Sequence, residues 1–159
     1  NSAQAFFQFG RRFDEGALPS GVETGAPGAG LGMVVLGESP RLEAVLVETT
    51  DEGSTLMMAP MHPLPEQGWA AAYVTRELTD AARGCLEPSP SMVDLLSDPG
   101  PRDAEALAAL TDLGVIAEPS DLVALTTFPI QTLTEDSRAI AADIAGRVPA
   151  EIDGPSCVD

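Results

Sequence analysis

The chain has 159 residues, of which 44% are hydrophobic, enough to bury one sizeable core and too few to support two independent cores. Its 25 acidic and eight basic residues give a net charge of −17, which disfavours nucleic acids and anionic membrane surfaces as partners. No run approaches the roughly 18 apolar residues that a spanning helix needs, so we expect no membrane insertion. Because the chain begins at Asn1 without a methionine, we expect it to be part of a longer protein.

The first thirty residues predict a strand followed by a loop. Phe6, Phe7 and Phe9 lie in the β-prone run "AQAFFQF". The stretch "RRFDEGALPSGVETGAPGAG" then combines glycine, proline and small polar residues without a sustained period, which is typical of a loop. Its glycines precede a strand and have no nearby lysine, so they do not predict a phosphate-binding loop. We therefore assign residues 1–30 to an N-terminal strand and loop.

Four strands are predicted in the next part of the chain. The runs are "LGMVVLG", "RLEAVLVETT", "STLMMAP" and "GWAAAYVTREL", separated by "GESP", "TDEG" and "HPLPEQG". Those separators are rich in the glycine, proline and acidic residues that form turns. Short strands at this close spacing predict an antiparallel meander or Greek key.

A helical insertion is predicted over residues 88–118. Ser89 can cap a helix that has Pro90 at its first position, with Met92, Val93, Leu95 and Leu96 facing inward. A second helix follows from Arg102, because apolar residues recur at helical spacing until Gly114, which suits a left-handed C-cap.

One more strand and one more helix complete the predicted order. Residues 121–128, "DLVALTTF", predict the last strand, and residues 134–148 predict a C-terminal helix capped by Thr134. The pattern indicates a mainly β, α+β domain with its helices grouped at one end. The insertion lies between the penultimate and last strands.

The segment "STLMMAPMHPLPEQGWAAAYVTRELTDAARGCLEPS", with "LTTFPIQT" further along, resembles the immunoglobulin-like modules of secreted and surface bacterial proteins. The matching positions are Leu64 and Pro65 at a turn, Tyr73 on a strand, Leu78, Asp80 and Gly84 in the next turn, and Phe128 near the end of the last strand. Gly68, Trp69 and "TFP" depart from the usual pattern. The resemblance implies one immunoglobulin-like antiparallel β-sandwich over residues 1–159.

The form with helices before the last strand is similar to domains that precede the catalytic part of some secreted bacterial lipases and esterases, where "RRFDEGALPSG" also has a counterpart. This resemblance implies an extracytoplasmic location: secreted, periplasmic or on the cell surface. We expect a noncatalytic spacer or interaction module whose partners are adjacent domains of the same parent protein or another surface protein. The alternatives are an N-terminal accessory part of a lipase or esterase, and a calcium- or carbohydrate-binding module.

No catalytic residue is predicted within the chain. The G-x-S-x-G motif that exposes a hydrolase serine is absent. His62 is the single histidine, and the sequence supplies it with neither a nucleophile nor an orienting carboxylate. One histidine and two distant cysteines also lack the spacing of a zinc site. We predict a surface or turn histidine.

Acidic residues at turns suggest candidate calcium ligands, since calcium in extracellular modules prefers carboxylates and turn carbonyls. The candidates are Asp80, Asp94 and Asp98, and none of the spacings matches an EF-hand. Aspartates that cap helices and stabilise turns explain the same pattern without a metal. We therefore predict no firm metal site and no cofactor, with calcium as the alternative.

Two further pairs of residues are candidates. Cys85 and Cys157 are an even number of cysteines in a chain that the resemblance places outside the cytoplasm, which predicts a disulfide. Two free thiols are the alternative. Trp69 and Tyr73 lie four apart on a predicted strand and so share a face, where they form either a platform for a sugar or partner side chain, or part of the core.

Overall fold

Seven strands and two helices run through the described part of the chain. The computed structural model describes residues 4–13, 16, 18–78, 80, 82, 84–131, 139–140 and 142–143. The strands are β1 (Ala5–Gln8), β2 (Leu31–Val35), β3 (Arg41–Glu43), β4 (Val45–Thr50), β5 (Thr55–Pro60), β6 (Trp69–Thr75) and β7 (Leu122–Pro129). The helices are α1 (Pro90–Ser97) and α2 (Pro101–Asp112), and residues 139–140 and 142–143 are also helical.

The strands form two antiparallel sheets. Sheet 1 has three strands in the order β1-β5-β4, and sheet 2 has four strands in the order β3-β2-β6-β7. The predicted mainly β, α+β class is confirmed, and the helices do lie between β6 and β7. In an immunoglobulin constant domain the second strand shares a sheet with the first, fourth and fifth. Here β2 instead lies between β3 and β6.

The run "RLEAVLVETT", predicted as one strand, is two strands in different sheets. Strand β3 pairs with β2 in sheet 2, and β4 pairs with β5 in sheet 1, so the chain crosses between the sheets at Ala44. Such a corner is how a chain passes from one sheet of a packed pair to the other. Glu43 and Val45, on either side of Ala44, are both buried.

A first core lies between the two sheets. Alternate residues of sheet 1 and sheet 2 supply it, because successive side chains of a strand point to opposite faces. Its buried members are Ala5, Phe7, Phe13, Leu31, Met33, Val45, Leu56, Met58, Ala72, Val74, Leu78, Leu86 and Val123.

A second core lies on the other face of sheet 2, under the helices. Its buried members are Val34, Leu36, Ala71, Tyr73, Met92, Ala106, Leu107, Ala109, Leu110, Val115, Ile116, Leu122 and Leu125. Strand β6 is therefore covered on both faces, which explains why "WAAAYV" is continuously apolar rather than alternating. The expectation of helices grouped at one end is wrong, since α2 packs over β2 and β7 with its apolar stripe on the sheet.

The predicted helix ends agree with the structure in most respects. The Ser89 hydroxyl accepts a hydrogen bond from the Met92 amide at 3.2 Å, and Gly114 has a φ of 72° beyond the end of α2. Val93, predicted to face inward, is exposed, because α1 is a short surface helix that buries only one side. Of the predicted helix 134–148, residues 139–140 and 142–143 are helical, and its other positions lie outside the described residues.

Candidate functional site

The side of sheet 1 that faces away from the first core carries a strip of apolar residues. Strand register places Phe6 beside Met57, and Met57 beside Glu48. The next row holds Leu46 beside Ala59. We call the following set the outer face of sheet 1: Phe6, Leu46, Met57 and Ala59.

Two large side chains of this face are open to solvent. The exposed fractions are 57% for Phe6 and 54% for Leu46. Six large hydrophobic residues are exposed among the described positions, and these two share one face. A contiguous exposed apolar patch is typical of an interaction surface, whereas single exposed residues are ordinary. The outer face of sheet 1 is therefore the strongest candidate site.

Sequence reasoning did not single out this face, although "AFFQ" contains a signal for it. Phe6 and Phe7 are adjacent on one strand, so they must point to opposite sides of the sheet. Phe7 is buried in the first core and Phe6 is exposed. Leu46 carried no comparable signal, because its direction depends on the corner at Ala44.

The outer face adjoins an edge of sheet 1. Strand β4 is at the end of the strand order, and its Val45 lies opposite Pro60 of β5 with its backbone groups pointing away from β5. The Val45 amide donates to the Thr24 hydroxyl at 2.8 Å, and that hydroxyl lies 3.1 Å from the Val45 carbonyl oxygen. Thr24 thus occupies the outward-pointing backbone groups of Val45, so another strand cannot pair with β4 at that residue.

A histidine and a glutamate form a second candidate site at the Ala44 corner. His62 Nδ1 lies 2.8 Å from Glu43 Oε1, and the side chains are 71% and 6% exposed, respectively. A carboxylate only accepts, so the Nδ1–H of His62 donates this hydrogen bond. Arg41 Nη2 lies 3.8 Å from the other Glu43 oxygen. The sequence placed His62 in a turn and missed Glu43 as its orienting carboxylate.

Glu43 is the only described side chain that hydrogen-bonds His62. A triad-type catalyst also needs a hydroxyl or thiol within reach of the second imidazole nitrogen. The described contacts supply the pair and not that third group. The pair can orient an imidazole, and it holds the residues after β5 against the end of β3.

Asp80, a calcium candidate, holds together its own turn and the N-terminal segment. Its Oδ1 accepts the amides of Ala82 and Gly84 at 2.9 and 2.7 Å, and its Oδ2 accepts Arg11 Nη1 at 2.9 Å. The Arg11 hydrogen bond, followed by the Gly84 amide, lowers the pKa of Asp80. The same Asp80 hydrogen bond raises the pKa of Arg11.

Gly84 lies beside the Arg11–Asp80 ion pair. It is not among the described glycines with positive φ. A Cβ at Gly84 would lie 2.6 Å from Arg11 Nη1 and 2.9 Å from Asp80 Oδ2. A side chain at position 84 would therefore displace the Arg11 guanidinium or the Asp80 carboxylate.

The three calcium candidates are not brought together. Asp94 lies within α1 and Asp98 is its C-cap, whose amide donates to the Asp94 carbonyl, while Asp80 binds Arg11 and the amides of its own turn. No group of three His, Cys, Asp or Glu side chains within the described part of the chain could hold a metal ion.

Trp69 and Tyr73 do share a face of β6, and that face is the one under the helices. Tyr73 is 1% exposed, so it has no free face for a sugar, and burial raises the pKa of its hydroxyl. Trp69 is half-buried, and the Arg102 guanidinium lies 4.9 Å from its ring centroid, a cation–π distance. Both residues are parts of the second core and its rim.

Cys85 is exposed and forms no disulfide with another described residue. Its predicted partner Cys157 lies outside the described residues, so the Cys85–Cys157 bridge stays a prediction.

A depression of about 530 Å³ lies between the end of β6 and the segment after α2. Its polar groups are largely engaged within the chain. Arg76 Nε donates to the Ser120 carbonyl at 2.7 Å, and the Asp121 carboxylate accepts the amides of Ala117 and Glu118. The depression is thus a weaker candidate than the outer face of sheet 1.

Comparison with known proteins gives no family. No protein-family model matches the sequence, and no curated protein matches it significantly. Across the described residues, none of the helices combines the length and apolarity needed to cross a membrane.

Proposed function

We propose that this chain is a noncatalytic interaction module of an extracytoplasmic bacterial protein: secreted, periplasmic or on the cell surface. It docks through the outer face of sheet 1 onto an adjacent domain of its parent protein or onto another surface protein. In this proposal the domain is immunoglobulin-like in its packed antiparallel sheets, with β2 in a different sheet from the usual one. Proteins with that architecture vary in topology.

The observation that carries the docking proposal is the outer face of sheet 1. Phe6 and Leu46 are each about half exposed on one side of a sheet whose other side packs into the first core. Removing apolar area from water is worth about 25 cal/mol per Å². A face of this kind therefore gains free energy when a partner covers it.

Site-specific photo-crosslinking tests the proposal in the full-length gene product, expressed in the native host organism. A benzophenone amino acid replaces Phe6 in one variant and Leu46 in a second. Val93 is the matched control, because it is an exposed apolar residue on α1 and away from sheet 1. Mass spectrometry then identifies the crosslinked peptide.

We expect the Phe6 and Leu46 variants to give the same crosslinked partner, and the Val93 variant to lack it. A crosslinked peptide from the same polypeptide indicates an adjacent domain, and one from another polypeptide indicates a separate surface protein. Equal products from all three positions, or none from Phe6 and Leu46, would refute docking through this face.

The Glu43–His62 pair favours a second candidate, an accessory part of a lipase or esterase. A histidine oriented by a carboxylate supplies the base and the orienting group of a catalytic triad, and a nucleophile from another domain would complete it. A fourth variant, with the benzophenone amino acid in place of His62, separates the two candidates, because in the lipase or esterase case it would crosslink to a serine-bearing segment. Crosslinks confined to the outer face of sheet 1 support the noncatalytic module.

A further inference from the structure

The edge strand β4 offers backbone groups beside the outer face of sheet 1. Thr24 binds the Val45 amide and carbonyl, which shows that these groups point away from β5. Backbone directions alternate along an antiparallel strand, so the amide and carbonyl of Val47 point to the same free side. No described residue outside sheet 1 hydrogen-bonds the Val47 backbone. An added strand could therefore pair with β4 at Val47.

Side chains on either side of Val47 determine what an added strand must carry. Leu46 and Glu48 both lie on the outer side of sheet 1, two positions apart. Glu48 is exposed and forms no ion pair with a described residue. Residues directly opposite on paired strands interact through apolar contact or opposite charge. The complementary strand therefore places an apolar residue beside Leu46 and a basic residue beside Glu48.

A second copy of this chain does not meet those requirements. An antiparallel copy paired at Val47 would place Glu48 of each strand beside Leu46 of the other, so neither side chain would meet its complement. The two molecules would also each carry a net charge of −17, and this like-charge repulsion disfavours their association. A charged residue on an edge strand also hinders self-pairing.

We infer that β4 binds an extended basic segment of a partner polypeptide by strand addition, with an apolar residue beside Leu46 and a lysine or arginine beside Glu48. Main-chain hydrogen bonds at Val47 supply the pairing, and the two side-chain contacts supply the selectivity, as in other cases of strand addition. This inference rests on the proposed docking function and specifies the chemistry of its partner.

Three short capped peptides test the inference on the purified chain. The peptides share one sequence in which apolar and polar residues alternate around a central leucine. They differ only at the position two residues from that leucine, which is lysine, glutamate or serine. Binding is measured by isothermal titration calorimetry at low salt. The chain variants are Leu46→Asn, Glu48→Gln and the control Val93→Asn, each first checked by thermal unfolding.

We expect the lysine peptide to bind about tenfold more tightly than the glutamate peptide, since exposed charge pairs contribute modestly. Leu46→Asn should weaken it about tenfold through lost apolar contact. Glu48→Gln should remove most of the charge preference, and Val93→Asn should change nothing. Amide exchange should show new protection at Val47 on binding.

Each contrary result has a distinct meaning. Leu46-dependent binding that is equal for all three peptides would overturn the basic-segment inference and leave docking through the outer face standing. If Leu46→Asn leaves the affinity for the lysine peptide unchanged, the binding is nonspecific attraction to an acidic protein, and the inference is also overturned. Absence of binding by every peptide overturns strand addition at β4, while the crosslinking experiment decides the docking function separately.

Discussion

The hydroxyl of Thr24 hydrogen-bonds the backbone of Val45 at the point where the chain enters sheet 1. It accepts the Val45 amide at 2.8 Å and lies within hydrogen-bonding distance of the carbonyl oxygens of Val45 and Gly21, at 3.1 and 2.7 Å. Thr24 and Val45 are both fully buried. One side chain therefore satisfies backbone groups that neither water nor a neighbouring strand reaches.

Thr24→Val should destabilise the domain by about 1–3 kcal/mol, the usual cost of leaving a buried donor without an acceptor. Thr24→Ser keeps the oxygen and should lose only the contribution of one methyl group, about 1 kcal/mol. Urea unfolding followed by circular dichroism measures both. Equal stability of the valine and serine variants would show that the hydroxyl is not needed at the edge.

Gly84→Ala should lower stability by about 1–3 kcal/mol, because the new methyl group would overlap the Arg11–Asp80 ion pair. Gly10→Ala is the matched control, since a Cβ at Gly10 meets nothing within 4 Å. Thermal unfolding of both variants checks the prediction. An unchanged melting temperature for Gly84→Ala would mean that the ion pair moves aside at no cost.

The Arg11–Asp80 pair should contribute to the pH dependence of stability. The pKa of Asp80 is lowered in the folded chain from its ordinary 3.8, so the folded state favours the ionised form. Its contribution is complete above the unfolded pKa and is lost as the pH falls through the folded pKa. Asp80→Asn should therefore be less stable than the parent at neutral pH, and this difference should shrink in acid.

Urea unfolding at neutral pH and at a series of acidic values below about 4 measures this difference. Asp94→Asn serves as the control, because Asp94 is an exposed residue of α1 outside the Asp80 turn. If the difference in free energy of unfolding between the parent and Asp80→Asn stays constant down to the lowest pH, ionisation of Asp80 does not contribute to stability as predicted.

The isolated chain should not hydrolyse short-chain p-nitrophenyl esters above the buffer rate. Glu43 orients His62, and no described hydroxyl or thiol hydrogen-bonds the histidine, so the described residues do not supply the nucleophile of a triad. Spectrophotometric release of p-nitrophenol measures the rate for the parent and for His62→Ala. Turnover that disappears in His62→Ala would assign catalysis to the Glu43–His62 pair.

Cys85 should resist alkylation in folded, unreduced protein if it is bridged to Cys157. Its exposed position makes a free thiol at residue 85 accessible to iodoacetamide, so protection would have to come from the bridge. Intact-mass analysis before and after reduction counts the added labels. Labelling of both cysteines without reduction would exclude the disulfide, and the Cys85→Ser variant shows which mass belongs to residue 85.

Local sequence patterns were sufficient to predict most strands and both described helices. Apolar runs bounded by turn residues predicted β2, β5, β6 and β7, because strand formation and turn chemistry depend on neighbours in the chain. Ser89 and Gly114 correctly marked helix ends for the same reason, since a cap acts on amides or carbonyls within one turn.

The sequence by itself determined the class of the domain and most of its order of strands and helices, which follow from composition and short-range periodicity. Only the tertiary structure decided that the chain changes sheets at Ala44, that Glu43 orients His62, and that Asp80 binds Arg11. Arg11 and Asp80 are 69 positions apart, and no periodic pattern links such residues. The exposed outer face of sheet 1 was decided in the same way: alternation makes one side of a strand differ from the other, and the packing of the two sheets selects the side that remains in water.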